Sequence, residues 1–169
     1  MIRSFNGKTP KIAKSAFVSE TAYIVGDVEI GENSSVWPGA VLRGDFGKIK
    51  IGVNTAVEDN CVIHAGMGDV VIGGNVVIGH SAALDCRRIG NNVLIGMNAT
   101  ILHDAEIGDF CVIAAGSLTG QGMKVPDRSF VAGIPGKIKG KASAEQLWWT
   151  QSNLDVYPKL AKQYKEQKL

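Results

Sequence analysis

Aliphatic residues recur at six-residue intervals through most of this chain, with small and polar residues between them. The interval lengthens by three residues at two places and shortens by one residue at a third. The recurring positions are Ile12, Val18, Ile24, Ile30, Val36, Leu42, Ile51, Val57, Ile63, Ile72, Ile78, Leu84, Ile89, Ile95, Ile101, Ile107 and Ile113. Neither a helical repeat nor a strand alternation reproduces this spacing, whereas a hexapeptide period is typical of a parallel β-helix.

The remaining hexad positions agree with a narrow triangular solenoid. Seven aliphatic residues are followed by glycine, which suits a corner where the backbone turns sharply or takes a positive φ: Gly31, Gly52, Gly73, Gly79, Gly90, Gly96 and Gly108. Short side chains stand four residues after the aliphatic position, at Ser34, Thr55, Val76, Ala82, Val93, Ala99, Ala105, Cys111 and Ser117. Three hexads would form one coil of roughly 18 residues, stacked at ~4.8 Å. The alternative is a Gly-rich β-sandwich, whose turns would come at irregular intervals. We therefore predict an all-β solenoid.

The period divides the chain into regions. Residues 1–10 are predicted to form an initial strand or cap, and the coils run from about 11 to 135 within a domain of residues 1–140. Insertions at residues 43–48 and 64–69 are expected to be loops that carry the binding face of the solenoid.

A C-terminal α-helix is predicted within residues 141–169. Ser143 and Gln146 form a capping box, and Pro158 is expected to kink the helix or divide it in two. One face carries a stripe at helical spacing, made of Leu147, Thr150, Leu154, Tyr157, Ala161 and Tyr164. The stripe favours a helix packed on the solenoid or on a neighbouring subunit over a helix that recognises another partner.

Composition narrows the function classes. The 169 residues fit one domain, and a formal net charge of +2 is too small to indicate nucleic-acid or membrane-surface binding. The sequence has no apolar run of transmembrane length and no signal-peptide pattern, so we expect a cytoplasmic protein. The three cysteines form no metal-binding pair, and Cys61 and Cys111 are expected to act as small hydrophobic residues.

All three histidines lie in the coils. His64 directly follows Ile63, where most hexads have glycine, and His80 stands two residues after Ile78. Their positions beside corners and near an insertion indicate a shared site. Spacing alone does not establish a metal.

Four segments resemble the signature of the γ-class carbonic anhydrases and their relatives: residues 35–45 (SVWPGAVLRGD), 58–64 (EDNCVIH), 78–80 (IGH) and 94–97 (LIGM). The resemblance covers about residues 8–140. It implies a left-handed β-helix that assembles as a homotrimer, with a divalent transition metal between adjacent subunits. Zinc is the first expectation and iron the second.

The resemblance also implies the metal ligands. His64 matches the first ligand, and His80 matches the middle one, which the neighbouring subunit supplies. The third ligand of the family is a histidine five residues later, where this chain has Asp85. Arg43 and Asp45 match a pair that helps to join subunits beside the metal.

Other departures from the family pattern fall in the same region. Ala56 replaces an asparagine, and Glu58 replaces a glutamine that would orient water or bicarbonate. Asp59 is retained, and Arg43, Glu58 and Asp59 are the predicted catalytic residues. A glutamate that shuttles protons in some relatives has no counterpart in the short insertion around Met67.

These departures have physical consequences for the predicted chemistry. Two histidines and a carboxylate can hold zinc or non-haem iron. An anionic ligand lowers the net charge of the metal and should raise the pKa of bound water above the ~7 used for hydration. Metal binding with weak or absent CO₂ hydration is therefore expected.

His103 is the third candidate at this site. It stands where relatives commonly have aspartate, and a count of 18 residues back reaches Asp85, or Cys86 once the one-residue deletion is included. From the next coil, its imidazole would hydrogen-bond the metal ligand Asp85 without touching the metal. Asp45 would support another of the metal ligands in the same way. Direct coordination and an exposed histidine on the next coil are the alternatives.

Three functions remain open at this point. The first is a γ-carbonic-anhydrase-like homotrimer whose substrate would be CO₂ or bicarbonate. The second is a hexapeptide acyltransferase that uses an acyl-CoA donor. The third is a non-catalytic assembly or accessory subunit. Residues 125–135 resemble a terminal coil common to the first two groups and do not discriminate between them.

Overall fold

In a computed structural model, the chain forms a parallel β-solenoid of about seven turns followed by one α-helix. The structure describes residues 1–66 and 68–167, without the side chains of residues 149, 153 and 154. Twelve strands form one sheet: β1 Ile2–Arg3, β2 Lys11–Ile12, β4 Tyr23–Ile30, β6 Val41–Ile51, β8 Val62–His64, β9 Val70–Ile72, β11 Ala83–Leu84, β12 Arg88–Ile89, β14 Thr100–Ile101, β15 Glu106–Ile107, β17 Leu118–Thr119 and β18 Lys124–Val125. Eight form a second sheet: β3 Phe17–Val18, β5 Ser35–Val36, β7 Ala56–Val57, β10 Val77–Ile78, β13 Leu94–Ile95, β16 Val112–Ile113, β19 Ser129–Ala132 and β20 Lys137–Lys141.

Parallel pairing between successive coils sets the register of the solenoid. Ile78 of β10 lies opposite Val57 of β7 on one side and Ile95 of β13 on the other. Among the described strands, only the pair β19 and β20 is antiparallel. The predicted parallel solenoid is confirmed, while its division into residues 1–140 and 141–169 stays a prediction.

The core is a stack of the inward positions that the hexads predict. Fifteen of the seventeen periodic aliphatic residues are buried, and Ile12 and Val18 at the first coil are partly buried. All nine small positions are buried as well. Where the small residue is polar, it bonds to the backbone of the next coil: the Ser34 hydroxyl donates to the Gly52 carbonyl at 2.7 Å. Such bonding removes the cost of burying a hydroxyl.

The glycines after the aliphatic residues serve a different purpose from the predicted one. None of the seven has a positive φ; that conformation occurs two residues later, often at asparagine, as at Asn75 and Asn92. Glycine is needed because the next coil passes too close for a side chain. A Cβ on Gly52 would lie 2.5 Å from the backbone carbonyl of Gly73. The expectation was a sharp turn or a positive φ, and the positive φ was wrong at all seven positions.

The first insertion is also not a loop. Residues 43–48 lie inside the long strand β6, which pairs with β4 and with both β8 and β9. This strand passes from one face of the solenoid to the next because its 11 residues span a corner. In the second insertion, His64 ends β8 and the residues after it lead to β9, with Met67 outside the described residues.

The C-terminal helix, α1, runs from Ala144 to Gln167. The capping box is present: the Ser143 amide donates to the Gln146 side chain at 2.9 Å, and the Gln146 amide donates to the Ser143 hydroxyl at 3.1 Å. Pro158 lies inside the helix and does not divide it, while the alternative of a kink stays a prediction. None of the described helical residues makes a segment long and apolar enough to cross a membrane.

The predicted stripe packs the helix on its own solenoid. Ala161, Tyr157 and Tyr164 join Phe17 and Trp37 in an apolar cluster. The ring of Trp37 lies 5.1 Å from that of Tyr164, edge to face. Leu147 and Thr150 are buried on the same stripe, and the side chain of Leu154 is outside the described part.

One polar contact joins the helix to the solenoid within this cluster. The Tyr157 hydroxyl donates a hydrogen bond to the Glu58 carboxylate, which is buried just after β7. A buried tyrosine hydroxyl usually requires a partner, and here that partner is one of the predicted catalytic residues.

The two expected cysteines are buried. The Cys61 thiol donates to the Gly79 carbonyl at 3.1 Å, and burial raises the pKa of this thiol to about 12. Cys111 is likewise buried. Both side chains are therefore neutral at physiological pH.

We predict that Gly52→Ala will destabilise the protein and that Gly120→Ala will not. The new Cβ at Gly52 would overlap the Gly73 backbone, and overpacking of this kind costs about 1–3 kcal/mol. Gly120 has open space and no positive φ, so alanine there should be neutral or slightly stabilising. Chemical denaturation of both variants checks this, and equal stabilities would contradict the close-approach explanation.

We also predict that Tyr157→Phe will lower the free energy of unfolding by about 1–3 kcal/mol, because Oε1 of the buried Glu58 carboxylate loses its donor. Tyr164→Phe is the matched control, since Tyr164 packs in the same cluster and its hydroxyl has no hydrogen-bond partner among the described residues. A double-mutant cycle with Glu58→Gln should show coupling for Tyr157 only. Equal effects of the two tyrosine substitutions would remove any special role for this contact.

Candidate metal centre

Five of the predicted site residues lie together on the 12-stranded sheet, and we name them the His64 cluster: Arg43, Asp45, His64, Asp85 and His103. The first two belong to β6, and Arg43 lies opposite His64 at the end of β8. Asp85 and His103 follow β11 and β14 on the next two coils. The cluster is therefore a column of side chains along one edge of the solenoid.

An ion pair organises the first part of the column. Nη1 of Arg43 donates to Oδ2 of Asp45 at 2.6 Å, and Oδ1 of Asp45 lies 3.1 Å from Nε2 of His64. Partial burial raises the pKa of the Asp45 carboxyl, but the hydrogen bonds from Arg43 and His64 outweigh it and hold this pKa below its usual value. Asp45 is thus ionised at neutral pH and acts as an acceptor.

This network assigns the tautomer of His64. Because ionised Asp45 accepts from Nε2, the proton of a neutral imidazole resides there and Nδ1 carries the lone pair. Nδ1 lies 3.7 Å from Oδ2 of Asp85, while Oδ1 of Asp85 accepts from the Gly66 amide at 3.2 Å. A lone pair and a carboxylate oxygen therefore face each other, as two ligands of one cation would.

His103 approaches the same carboxylate from the next coil. Leu84 pairs with Ile101, so the stacked neighbour of His103 is Cys86, as the one-residue deletion predicts. The imidazole nevertheless leans toward Asp85, with Nδ1 3.0 Å from Oδ2. These two atoms lack the alignment of a hydrogen bond, and Nδ1 is buried without a hydrogen-bond partner.

The other predicted residues form a second group, the His80 cluster of Glu58, Asp59 and His80. They follow β7 and β10 on the eight-stranded sheet. Nδ1 of His80 lies 3.0 Å from Oδ2 of Asp59, and Nε2 lies 3.2 Å from Oε2 of Glu58. The His80 amide also donates to Oε2 of Glu58 at 3.0 Å. The His80 side chain is 47% exposed and accessible from outside the chain.

Glu58 is an unusual carboxyl because it is buried beneath His80. Burial raises the pKa of Glu58; the positive charge and amide of His80 oppose that rise, and the negative charge of Asp59 adds to it. The neighbouring Ala56 is buried and offers no polar group to this cluster.

The two clusters stand on different edges of one chain. Within the described residues of that chain, no group of three or more His, Cys, Asp or Glu has metal-binding spacing. The donor chemistry of the His64 cluster nonetheless suits a divalent cation, since a fixed imidazole lone pair and a carboxylate converge. The metal ligands His64, His80 and Asp85 stay a prediction.

Two functional contributions were missed by the sequence reasoning. Gly66 leaves room for the cluster, because a Cβ there would lie 2.8 Å from Cε1 of His64 and 2.9 Å from Oδ2 of Asp85. Tyr157 was expected only to pack. The hydroxyl of Tyr157 within an apolar stripe was a sequence feature that indicated a polar contact. No sequence feature distinguished Gly66 from the other glycines, of which the chain has 21 in all.

Comparisons with known proteins place this geometry in a family. A model described as bacterial transferase hexapeptide (six repeats) matches residues 9–44 and 88–121. A "Probable carbonic anhydrase" of Methanocaldococcus jannaschii is 42% identical over 151 residues, which are 89% of this chain and 95% of that protein. Mitochondrial gamma carbonic anhydrase 2 of Arabidopsis thaliana is 33% identical over 91% of this chain, which spans only 58% of that relative's length.

A solved structure agrees over the full length. A hexapeptide transferase family protein from Anaplasma phagocytophilum superposes with a TM-score of 0.91 and 37% identity, over 96% of this chain and 97% of that one. The chain therefore belongs to the hexapeptide-repeat family that includes the γ-class carbonic anhydrases.

Proposed function

We propose that the chain forms a γ-carbonic-anhydrase-like homotrimer with a metal site between subunits, and that CO₂ hydration at this site is weak or absent. His64 and Asp85 of one subunit and His80 of its neighbour would hold a divalent transition metal, with zinc or iron as the candidates. The cytoplasm is the proposed location.

The separation of the two clusters carries this proposal. Each cluster holds imidazole and carboxylate donors, yet neither makes a three-ligand group within the described part of one chain. A site completed by a second copy reconciles these facts. Apolar side chains are exposed beside both clusters: Phe46, 80% exposed, packs edge-on to His64, and half-exposed Met97 stands one coil from His80. An interface that repeats head to tail around three subunits would cover both.

The residues of the chain would have defined roles at such a site. Arg43 holds Asp45 ionised, and Asp45 directs the lone pair of His64 toward Asp85. Glu58 or Asp59 would orient His80 through whichever ring nitrogen does not face the metal. A bound zinc or iron ion supplies Lewis acidity that lowers the pKa of water. Asp85 offsets part of that charge, and Glu58 and Asp59 disfavour an anion such as bicarbonate, so we propose slow hydration.

A hexapeptide acyltransferase is the second candidate. The matching model is described as a bacterial transferase, and the similar Anaplasma phagocytophilum structure is described as a transferase family protein. A histidine would then act as general base beside an acyl-CoA donor. Acyl-CoA binding by a metal-free protein would favour this function, and the absence of both metal and acyl-CoA binding would favour an accessory subunit.

A mixing experiment tests the proposed intersubunit site. His64→Ala and His80→Ala homotrimers should each lose the metal, because each lacks one ligand at every interface. Mixed trimers, unfolded and reassembled together, should recover it, because one interface then pairs an intact His64 with an intact His80. Metal content by mass spectrometry and mass by light scattering provide the measurements.

The control for mixing is each variant reassembled alone. If both ligands came from one subunit, mixing would restore nothing, and the intersubunit site would be wrong. A monomer at micromolar concentration would remove the trimer as well. Arg43→Ala should weaken the trimer, because Asp45 loses the partner that holds it beside the interface.

A second experiment addresses the proposed slow hydration. The variant Asp85→His/His103→Asp exchanges two side chains and restores the arrangement that the resemblance implies, and Glu58→Gln removes a third difference. We expect kcat/KM of the metal-loaded triple variant to exceed that of the wild type by about 10–100-fold near pH 7, since one pKa unit corresponds to about tenfold in hydroxide fraction. Stopped-flow CO₂ hydration measures this.

Glu106→Gln is the matched control, because it removes a carboxylate that pairs with Lys124 outside both clusters. It should leave hydration unchanged. Rapid hydration by the wild type would contradict the impaired-site proposal. A metal-loaded triple variant that is still inactive would show that these residues are not the limiting difference.

A further inference from the structure

Two of the three faces of the solenoid have an evident neighbour. The face made of the eight-stranded sheet is the one on which α1 packs, through β3, β5 and β13. The face that includes β9, β12, β15 and β18 is suited to water, because six of its seven outward residues are charged. In the order of the coils, those outward residues are Lys11, Glu29, Lys50, Val71, Arg88, Glu106 and Lys124.

The third face, which we name the uncharged face, has no charged residue in its outward column. It consists of β8, β11, β14 and β17 together with the first parts of β4 and β6. Val62 and Ala83 at its centre are exposed, and the side chain of Val62 is 44% exposed. The column contains Tyr23, Val41, Val62, Ala83, Thr100 and Leu118. An exposed strip of this kind is typical of a surface that another molecule covers.

The uncharged face lies between the two clusters of the candidate metal centre. His80 stands in the corner that precedes β11, and Asp85 stands in the corner that follows it. His64 at the end of β8 and His103 after β14 are on the same border as Asp85. One half of the proposed intersubunit site therefore stands at each border of this face.

We propose that the uncharged face of each subunit points to the threefold axis and packs against the same face of two further copies. This inference rests on the homotrimer proposed above and identifies the surface that assembles it. In a closed ring, the His64 border of each subunit meets the His80 border of the next. The three uncharged faces then form the sides of a triangle. Three solenoids fit only outside that triangle, so the faces point inward.

The triangle is small enough for the side chains to meet at its centre. A face about six residues wide at ~3.3 Å per residue has a width of roughly 20 Å, which places the axis roughly 6 Å from each face. Packed sheets are separated by ~10 Å, so each sheet lies about half of that distance from the plane between them. Val62 from three subunits would form one layer, between layers of Val41 and Ala83.

This arrangement explains why charge is missing from one face only. A charged side chain in the column would lie beside two copies of itself around the axis, with little access to water. Such a contact between like charges is strongly unfavourable. On the face of Val71, by contrast, lysine, arginine and glutamate alternate and pair between coils, as Lys124 does with Glu106.

Two valines provide a matched test. Val62 and Val71 are outward residues of the neighbouring strands β8 and β9, and their side chains are 44% and 43% exposed. Val62→Glu should weaken the trimer by about 100-fold or more, because three carboxylates would meet at the axis. Val71→Glu should stay a trimer, because the new carboxylate would lie between Lys50 and Arg88. Light scattering over a range of concentrations measures assembly, and circular dichroism checks the fold of each variant.

Cysteine cross-linking gives a second measurement with a milder substitution. A short bis-maleimide should link Val62→Cys chains to one another within the trimer and should leave Val71→Cys chains unlinked. The native cysteines Cys61, Cys86 and Cys111 are buried and do not compete for the reagent. This measurement decides the question even if Val62→Glu does not fold.

The outcomes separate this inference from the proposed function. A wild-type monomer at micromolar concentration would overturn both. If the wild type is a trimer and Val62→Glu assembles as tightly as Val71→Glu, the uncharged face does not point to the axis. Trimeric Val62→Cys that the reagent does not link would lead to the same conclusion. In both of these cases the homotrimer and its intersubunit site would stand.

Discussion

The hydrogen-bonded register between successive coils is the constraint on which every other contact depends. Each strand is only two or three residues long through most of the solenoid, so it has little stability by itself. Its backbone groups are satisfied by the coil below and the coil above, as for Ile78 between Val57 and Ile95. An inserted or deleted residue therefore shifts the side chains next to it, while later coils keep their register, as Ile51, Ile72 and Ile89 do.

The candidate site is built from such shifts. The added residues of β6 carry Asp45 to the position from which it reaches His64, and the additional residues after β8 include Gly66, which leaves space beside Asp85. The deletion before β12 then sets Cys86, not Asp85, opposite His103. His103 reaches Asp85 by leaning across one residue, so its nitrogen comes close without hydrogen-bond alignment.

Period and burial are the same at each coil, so the inward residues and the parallel sheets were predictable from the sequence. The capping box at Ser143 was predictable because it depends only on residues three positions apart. The role of glycine was misjudged, because the spacing between coils limits these positions more than φ does. The strand at residues 43–48 was taken for a loop, since hexad counting does not show that a long strand spans a corner. The contact of Tyr157 with Glu58 joins residues 99 positions apart, so the polar tip of Tyr157 within the stripe did not reveal its partner.

The charge of the two clusters connects the proposed metal binding with the proposed slow hydration. Asp45 is balanced by Arg43, but Asp85, Asp59 and Glu58 have no lysine or arginine partner among the described residues. Bringing the two clusters together in a trimer would therefore place carboxylates against carboxylates, which is unfavourable in a partly buried interface. A divalent cation relieves that repulsion, and the same carboxylates repel an anionic substrate. Asp85 and Glu58, which depart from the family pattern, thus favour a metal that holds subunits together over a metal that turns over bicarbonate.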